Sequence, residues 1–234
     1  MRIQERFAIK LPDNLPPEVA CPLLCGGGTV FEPIVDNVTP GCKVAVASVG
    51  GLGTSAIRFA RQYGAHVTAL SRSDSKKERA LGAGAHEFYA CLGDEAKMAE
   101  LAGKFDLIID TNPVNKPIAP YMGMLAIDGT YNRVGIPSGS DMTFSYDYIP
   151  LIFTQKKVVG TIVTGTTRMK LMFDLVAQDL DLFAKDKDDW KTEIVPYEQI
   201  NEIMDTLKEV RIYDILKHCC WLCIIFMKQA SLVY

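Results

Sequence analysis

Short β-rich runs alternate with helical stretches from residue 41 onward, and this alternation limits the possible folds more than any other feature. Runs rich in β-branched and apolar residues predict strands at 43–47, 66–70, 87–89, 105–110, 129–134 and 158–163. Helices are predicted between them at 54–63 and 75–81. The run 105–110 is almost wholly apolar, as expected of a strand buried on both faces. The pattern predicts an α/β fold in which a parallel sheet of about six strands is linked by crossover helices.

Changes in composition divide the chain into four regions. Residues 1–40 are rich in proline and glycine, with apolar pieces too short for a core, and are interpreted as an attachment segment. The predicted sheet region, 41–185, ends in an amphipathic stretch at 168–183, which predicts a helix packed on the sheet. Residues 186–211 hold a short apolar pair and a second amphipathic piece. An apolar tail follows at 212–234.

The composition is that of an ordinary globular chain and excludes several classes of partner. Among the 234 residues, 25 basic and 28 acidic side chains give a net charge of −3, so charge supplies no argument for nucleic-acid binding. Seven cysteines, an odd number, favour reduced thiols and a cytoplasmic location. The uncharged run 219–227 is too short to span a membrane, and the amino end shows no targeting signal. We therefore expect neither nucleic acid nor membrane as a partner.

A glycine-rich turn, Ser48-Val49-Gly50-Gly51-Leu52-Gly53, lies between the first predicted strand and the first predicted helix. In this context, glycines let the pyrophosphate of a dinucleotide approach backbone N–H groups at a helix N-terminus. The fingerprint G-x-G-x-x-G has its first glycine where this chain has Ser48, so the tight-turn position carries a Cβ. The turn predicts a doubly wound Rossmann domain; the alternative is a plain strand-to-helix connection.

The loop after the second predicted strand distinguishes between the two nicotinamide cofactors. NAD-selective sites place an acid there, on the ribose 2′-hydroxyl, but this chain has Ser71, followed by Arg72, Ser73 and Lys76. Hydroxyls and cations can form charge-assisted hydrogen bonds with a 2′-phosphate. The loop therefore favours NADP over NAD. The alternative is a solvated loop in which Ser73 or Ser75 caps a helix.

Several motifs in register give the chain a family resemblance. They are Leu23-Leu24-Cys25-Gly26-Gly27-Gly28-Thr29, the glycine turn, 71–77, Phe105-Asp106-Leu107-Ile108-Ile109-Asp110-Thr111, 128–137 and Val159-Gly160-Thr161. From about residue 5 to about residue 207 the chain resembles the cinnamyl alcohol dehydrogenase group of zinc-dependent medium-chain dehydrogenases. The resemblance implies a Rossmann domain at 41–185 and remnants of a GroES-like catalytic domain at 1–40 and 186–211. The tail 212–234 departs from the family.

The resemblance implies an NADP(H)-dependent alcohol dehydrogenase or aldehyde reductase. Such an enzyme moves a hydride between the nicotinamide and a primary alcohol or aldehyde. It also implies that backbone after the fifth strand and at the sixth holds the nicotinamide carboxamide. Together, the motifs and the resemblance predict cofactor contacts at Thr29, Ser48, Gly50, Gly51, Leu52, Gly53, Ser71, Arg72, Ser73, Lys76, Gly135, Ile136, Gly160 and Thr161.

Zinc is the weak point of this functional prediction. Of the family's catalytic zinc ligands the resemblance finds one, Cys25, and implies that the others lie in a part of the catalytic domain that this chain lacks. A catalytic zinc needs about three protein ligands, so one cysteine cannot hold it. We therefore expect impaired activity. The alternatives are a non-catalytic NADP-binding module, an interaction protein that associates with itself or another chain, and a zinc-free quinone reductase.

Overall fold

The computed structural model describes residues 2, 4–136, 143–184, 196–199 and 201. Its centre is a six-stranded sheet in the order β3-β2-β1-β4-β5-β6, in which every paired strand is parallel to its neighbour. The strands are β1 (Lys43–Ala47), β2 (His66–Ser71), β3 (Glu87–Ala90), β4 (Phe105–Asp110), β5 (Leu125–Arg133) and β6 (Lys157–Gly160). This is the doubly wound Rossmann order, so the predicted fold is confirmed.

The helices are numbered in chain order. They are α1 (Pro17–Pro22), α2 (Gly28–Asn37), α3 (Gly51–Gln62), α4 (Lys77–Gly82), α5 (Glu95–Ala99), α6 (Ala119–Met124), α7 (Tyr148–Thr154), α8 (Thr166–Gln178) and α9 (Leu180–Ala184). A π-helical segment, Leu23–Gly27, lies between α1 and α2. Short 3₁₀ turns occur at Glu5–Phe7, Asp74–Lys76 and Tyr197–Gln199.

The chain divides into two compact units, Thr29–Ile162 and a second one formed by Met1–Gly28 with Val163–Tyr234. The first contains the whole sheet. The borders predicted at 40/41 and 185/186 stay predictions, and most of the regions 186–211 and 212–234 lies outside the described residues. All predicted cofactor contacts fall in the sheet unit, and Cys25 falls in the other.

The two central strands carry the core of the sheet unit. In β1 every residue after Lys43 is buried, and in β4 every residue except Asp106 is buried, which confirms the prediction for 105–110. Helix α3 packs an apolar face toward the interior, where Phe59 meets Phe31 of α2 edge-on with ring centroids 5.2 Å apart. A sheet with such buried central strands gives its carboxyl-end loops a close-packed base.

The second unit is built on α8, whose buried side chains follow the predicted stripe of Met169, Met172, Phe173 and Val176. The prediction of one helix over 168–183 is wrong in its extent. The helix ends at Asp179, which leaves helical geometry at φ −137° and ψ 66°, and α9 begins at the next residue. Phe183 in α9 is buried, so the apolar stripe continues across the break between the two helices. For that reason the hydrophobic periodicity did not indicate the break.

Residues 1–40 contain α1, α2 and the π-helical segment between them, and their interpretation as an attachment segment stays a prediction. Pro17 occupies the first turn of α1, where its missing N–H costs nothing. Within α2, Val30, Phe31 and Ile34 are fully buried, and burial of such apolar groups outweighs the penalty of Pro33.

One helical stretch among the described residues, Pro17–Asn37, is long and apolar enough to cross a membrane by length and composition. Of its most apolar window, 61% is buried inside the protein. Core helices of soluble proteins pass the same test, so the stretch is weak evidence for a membrane span.

Candidate functional site

The turn after β1 is held in a strained conformation. Ser48 has φ 75°, in the left-handed region, and its N–H donates to the carbonyl of Leu70 on β2 (2.9 Å). Ser48 therefore adopts a backbone conformation that favours glycine, at the position where the fingerprint has a glycine. This conformation costs a non-glycine residue roughly 1–2 kcal/mol, so contacts with the surrounding residues must hold Ser48 in it.

Gly53 lets the first turn of α3 approach this strained turn. A Cβ at Gly53 would lie 2.0 Å from the carbonyl oxygen of Ser48, closer than any side chain can approach. The same carbonyl lies 2.9 Å from the Thr111 hydroxyl, which also lies 3.0 Å from the carbonyl of Ala47. Sequence reasoning missed Thr111, although its place directly after the buried strand β4 was a usable signal.

Gly50 is the N-cap of α3 and leaves space above the helix N-terminus. Its backbone is extended (φ −103°, ψ −159°), and a Cβ there would meet nothing within 4 Å. The half-buried Gly51 and Leu52 form the first turn with Gly53. The first N–H groups of a 12-residue helix carry the positive end of its dipole. This end of α3 therefore suits an anion that approaches the backbone closely.

Ser71 closes β2 beside the turn, since β1 and β2 pair Ala47 with Leu70. It is buried, whereas Arg72, Ser73 and Lys76 are exposed. Neither Arg72 nor Lys76 forms an ion pair with a residue that the structure describes. Ser73 takes the N-cap position of the 3₁₀ turn without a side-chain cap hydrogen bond, so the capping alternative does not hold for Ser73.

A second group of predicted residues meets at the carboxyl ends of β5 and β6. Arg133 pairs with Gly160, and its carbonyl accepts from the N–H of Thr161 (3.2 Å). The Thr161 hydroxyl lies 3.1 Å from Oδ1 of Asn132 and 3.4 Å from the carbonyl of Thr29. Residues distant in the chain are thus brought together, and their assignment to the nicotinamide end stays a prediction.

Gly135 is packed against the backbone that follows β4. Its N–H donates to the carbonyl of Asp110 (3.0 Å), and a Cβ there would lie 2.3 Å from the carbonyl oxygen of Asn112. Ile136, the next residue, is 63% exposed. Backbone at this point is therefore close-packed on one side and open to solvent on the other.

Asp110 is fully buried between the two groups and accepts three hydrogen bonds. Its Oδ2 accepts from the Tyr131 hydroxyl (2.6 Å) and from Nη1 of Arg133, and its Oδ1 accepts from the N–H of Asn112 (2.9 Å). Burial raises the pKa of Asp110, an effect that the Arg133 guanidinium opposes most strongly. Burial and the Asp110 charge raise the pKa of Tyr131, so its hydroxyl stays a donor.

The predicted residues therefore line one edge of the sheet. From β2 to β6 this edge carries Ser71, the turn at Ser48, the Asp110–Asn112 segment, Gly135 and Thr161. Ligands of open α/β sheets bind at this carboxyl edge, where the strand order reverses between β1 and β4.

Zinc does not fit the described residues. Cys25 lies in the π-helical segment Leu23–Gly27. Within the described part of the chain, no group of three or more histidine, cysteine, aspartate or glutamate side chains could hold a metal ion. A catalytic zinc takes about three protein ligands, so the described residues do not fit a catalytic zinc.

Comparisons with known proteins agree with this architecture. The chain is 43% identical over 177 residues to the probable formaldehyde dehydrogenase AdhA of Bacillus subtilis (strain 168), covering 75% of this chain and 50% of that protein. NADP-dependent alcohol dehydrogenase C 1 of Mycolicibacterium smegmatis is 36% identical over 177 residues, with the same coverage. The chain thus spans about half the length of these curated relatives.

A solved structure extends the likeness to three dimensions. Cinnamyl alcohol dehydrogenase from Sorghum bicolor matches with a TM-score of 0.74 and 30% identity over 88% of this chain and 56% of that one. A family model described as zinc-binding dehydrogenase matches residues 51–178, which include α3, the strands β2 to β6 and α8. The chain therefore belongs to the zinc-binding dehydrogenase family.

Proposed function

We propose that this chain binds NADP(H) along the carboxyl edge of its sheet. The observation that carries the proposal is the open N-terminus of α3 at Gly50, together with the exposed cations Arg72 and Lys76, which follow the neighbouring strand β2. The pyrophosphate would take the N–H groups of the first turn of α3, and the 2′-phosphate would pair with the two cations. The relative from Mycolicibacterium smegmatis, described as NADP-dependent, supports this assignment.

The reaction we propose for the complete catalytic unit is reversible hydride transfer between NADP(H) and a primary alcohol or aldehyde. A bound nicotinamide supplies or accepts the hydride, while a proton goes to or leaves the substrate oxygen. The described residues fit the cofactor part of this chemistry and contain no group fit for zinc. We therefore propose that the part of the chain that the structure describes binds the cofactor and does not catalyse hydride transfer on its own.

A titration of the purified 234-residue chain with NADPH and NADH tests the proposed function. We expect NADPH to bind at least about tenfold more tightly, since a charge-assisted hydrogen bond is worth about 1.5–3 kcal/mol. The double variant Arg72→Ala/Lys76→Ala should lose this preference. Lys97→Ala, an exposed lysine on α5, should keep it.

Three results would contradict the proposed function. Equal affinity for the two nucleotides would refute the assignment of the 71–76 loop, and binding of neither would refute the site. Oxidation of NADPH by an added aromatic aldehyde would refute the absence of turnover. Oxidation by an added quinone without zinc would instead favour a zinc-free quinone reductase.

We propose association with another protein chain, in the simplest case a second copy, as a second function. Among the described residues strand β6 is an edge of the sheet, so no strand of that part of the chain pairs with its outer backbone groups. Beside it, α7 buries none of its residues, and Ile152 and Phe153 are 64% and 80% exposed. An edge strand flanked by exposed apolar side chains is typical of a protein interface.

Sedimentation at increasing concentration tests this association. We expect the chain to form dimers or larger species, and Ile152→Lys/Phe153→Lys to shift it to the monomer. Ile127→Lys changes an isoleucine on β5 that is 73% exposed, against 64% for Ile152, and should leave association unchanged. A wild-type chain that stays monomeric at every concentration would refute the proposal of a second copy.

A further inference from the structure

We propose that Arg133 is a positioning residue that fixes the Gly135–Ile136 peptide for the nicotinamide carboxamide. This proposal rests on the proposed binding of NADP(H). Three nitrogens of one guanidinium contact three different segments of backbone or side chain. Nε donates to the carbonyl of Gly135 (2.8 Å), Nη2 donates to the carbonyl of Val114 (3.1 Å), and Nη1 donates to the carboxylate of Asp110.

The guanidinium is itself anchored to the rigid centre of the sheet. Asp110 ends the central strand β4 and is fully buried, and its other hydrogen bonds, from Tyr131 and Asn112, fix the carboxylate in turn. The Arg133 side chain is only 22% exposed. A planar guanidinium that makes a fork of hydrogen bonds on such an anchor has one orientation.

This orientation determines where the next peptide points. Because a trans peptide is planar, a Gly135 carbonyl directed at Arg133 leaves the N–H of Ile136 directed away from it. No residue that the structure describes accepts a hydrogen bond from that N–H, and the Ile136 side chain beside it is 63% exposed. The peptide thus presents a fixed donor at the open edge of the site, suited to the oxygen of a carboxamide.

The local packing leaves the loop little other freedom. The carbonyl of Asp110 accepts from the N–H groups of both Val134 and Gly135 (3.0 Å each). Gly135 has no room for a Cβ against Asn112. The main freedom left to this segment is therefore rotation of the Gly135–Ile136 peptide, which the hydrogen bond from Arg133 restricts. A peptide that is ordered before the ligand binds raises the affinity for the ligand group that it contacts.

The test compares two nucleotides that share the adenine end, of which only NADPH carries the nicotinamide mononucleotide half. NADPH and adenosine 2′,5′-bisphosphate are titrated calorimetrically into the wild-type chain and into Arg133→Lys, which keeps a cation beside Asp110 but cannot form the fork. We expect the affinity for NADPH to fall about tenfold, the equivalent of one hydrogen bond. The affinity for the bisphosphate should change less than about twofold, and the nicotinamide fluorescence of the complex should change with the variant.

Two further variants make the result specific. Asp110→Asn/Arg133→Met removes both charges, so no uncompensated buried charge remains, and we expect the same selective loss of NADPH affinity. Arg72→Ala should weaken both nucleotides together.

Three outcomes would overturn the inference. An unchanged NADPH affinity in Arg133→Lys would show that Arg133 does not position the peptide. An equal loss for both nucleotides would show a general structural role. If the wild-type chain binds the bisphosphate but not NADPH, the assignment of Gly135 and Ile136 to the nicotinamide is wrong. Binding of neither nucleotide overturns the proposed function itself.

Discussion

Replacing Gly53 with alanine should destabilise the sheet unit by at least about 3 kcal/mol, at or beyond the upper end of the usual cost of overpacking. The added Cβ would lie 2.0 Å from the Ser48 carbonyl oxygen, and backbone rather than a flexible side chain must move. That carbonyl is fixed by its contact with Thr111, and Ser48 is already strained at φ 75°. Urea unfolding followed by circular dichroism measures the loss, which is a large part of the 5–15 kcal/mol typical of a protein.

Gly50→Ala is the matched control for Gly53→Ala, because both change a glycine of the same turn. A Cβ at Gly50 meets nothing within 4 Å, and its extended backbone suits alanine, so the free energy of unfolding should change by less than about 1 kcal/mol. The methyl group would instead occupy the space proposed for the pyrophosphate, so NADPH affinity should fall. Equal stability losses in the two variants would refute the packing argument for Gly53.

The sheet could be predicted from sequence because its central strands are nearly continuous apolar runs, as at 43–47 and 105–110. The start of β5 at Leu125 could not be predicted, because Asp128 and Gly129 interrupt the run of apolar and β-branched residues. Helices α1, α2 and α7 contain prolines at Pro22, Pro33 and Pro150, which are local signals against a helix. Their formation is decided by packing that a single sequence does not display.

The candidate site, too, has a part that could be predicted from the sequence and a part that could not. The turn at 48–53 is contiguous in the chain, so its residues could be predicted together. The contact of Arg133 with Asp110 joins residues 23 positions apart, and it exists because β4 and β5 pair in the register that sets Asp110 beside Arg133. Both residues lie in motifs of the family resemblance, but a motif read along the chain does not show which side chains pair across two strands.

Replacing Asp110 with alanine should cost about 3–5 kcal/mol of stability, since it removes one partner of a largely buried ion pair. The change leaves the Arg133 guanidinium, the Tyr131 hydroxyl and the Asn112 N–H without their acceptor. Burial raises the pKa of Asp110, and the Arg133 guanidinium is the strongest of the groups that oppose this effect. The midpoint and slope of urea unfolding give the free energy.

Asp106→Ala is the matched control for Asp110→Ala, because it changes the same residue type on the same strand. Asp106 is exposed at the other end of β4 and accepts a hydrogen bond from the N–H of Lys43 (2.8 Å). Its loss should cost about 1 kcal/mol or less, since water can replace the acceptor. If the two variants lost the same stability, the carboxylate of Asp110 would not be the anchor of the β4–β5 edge, and the orientation inferred for Arg133 would lose its basis.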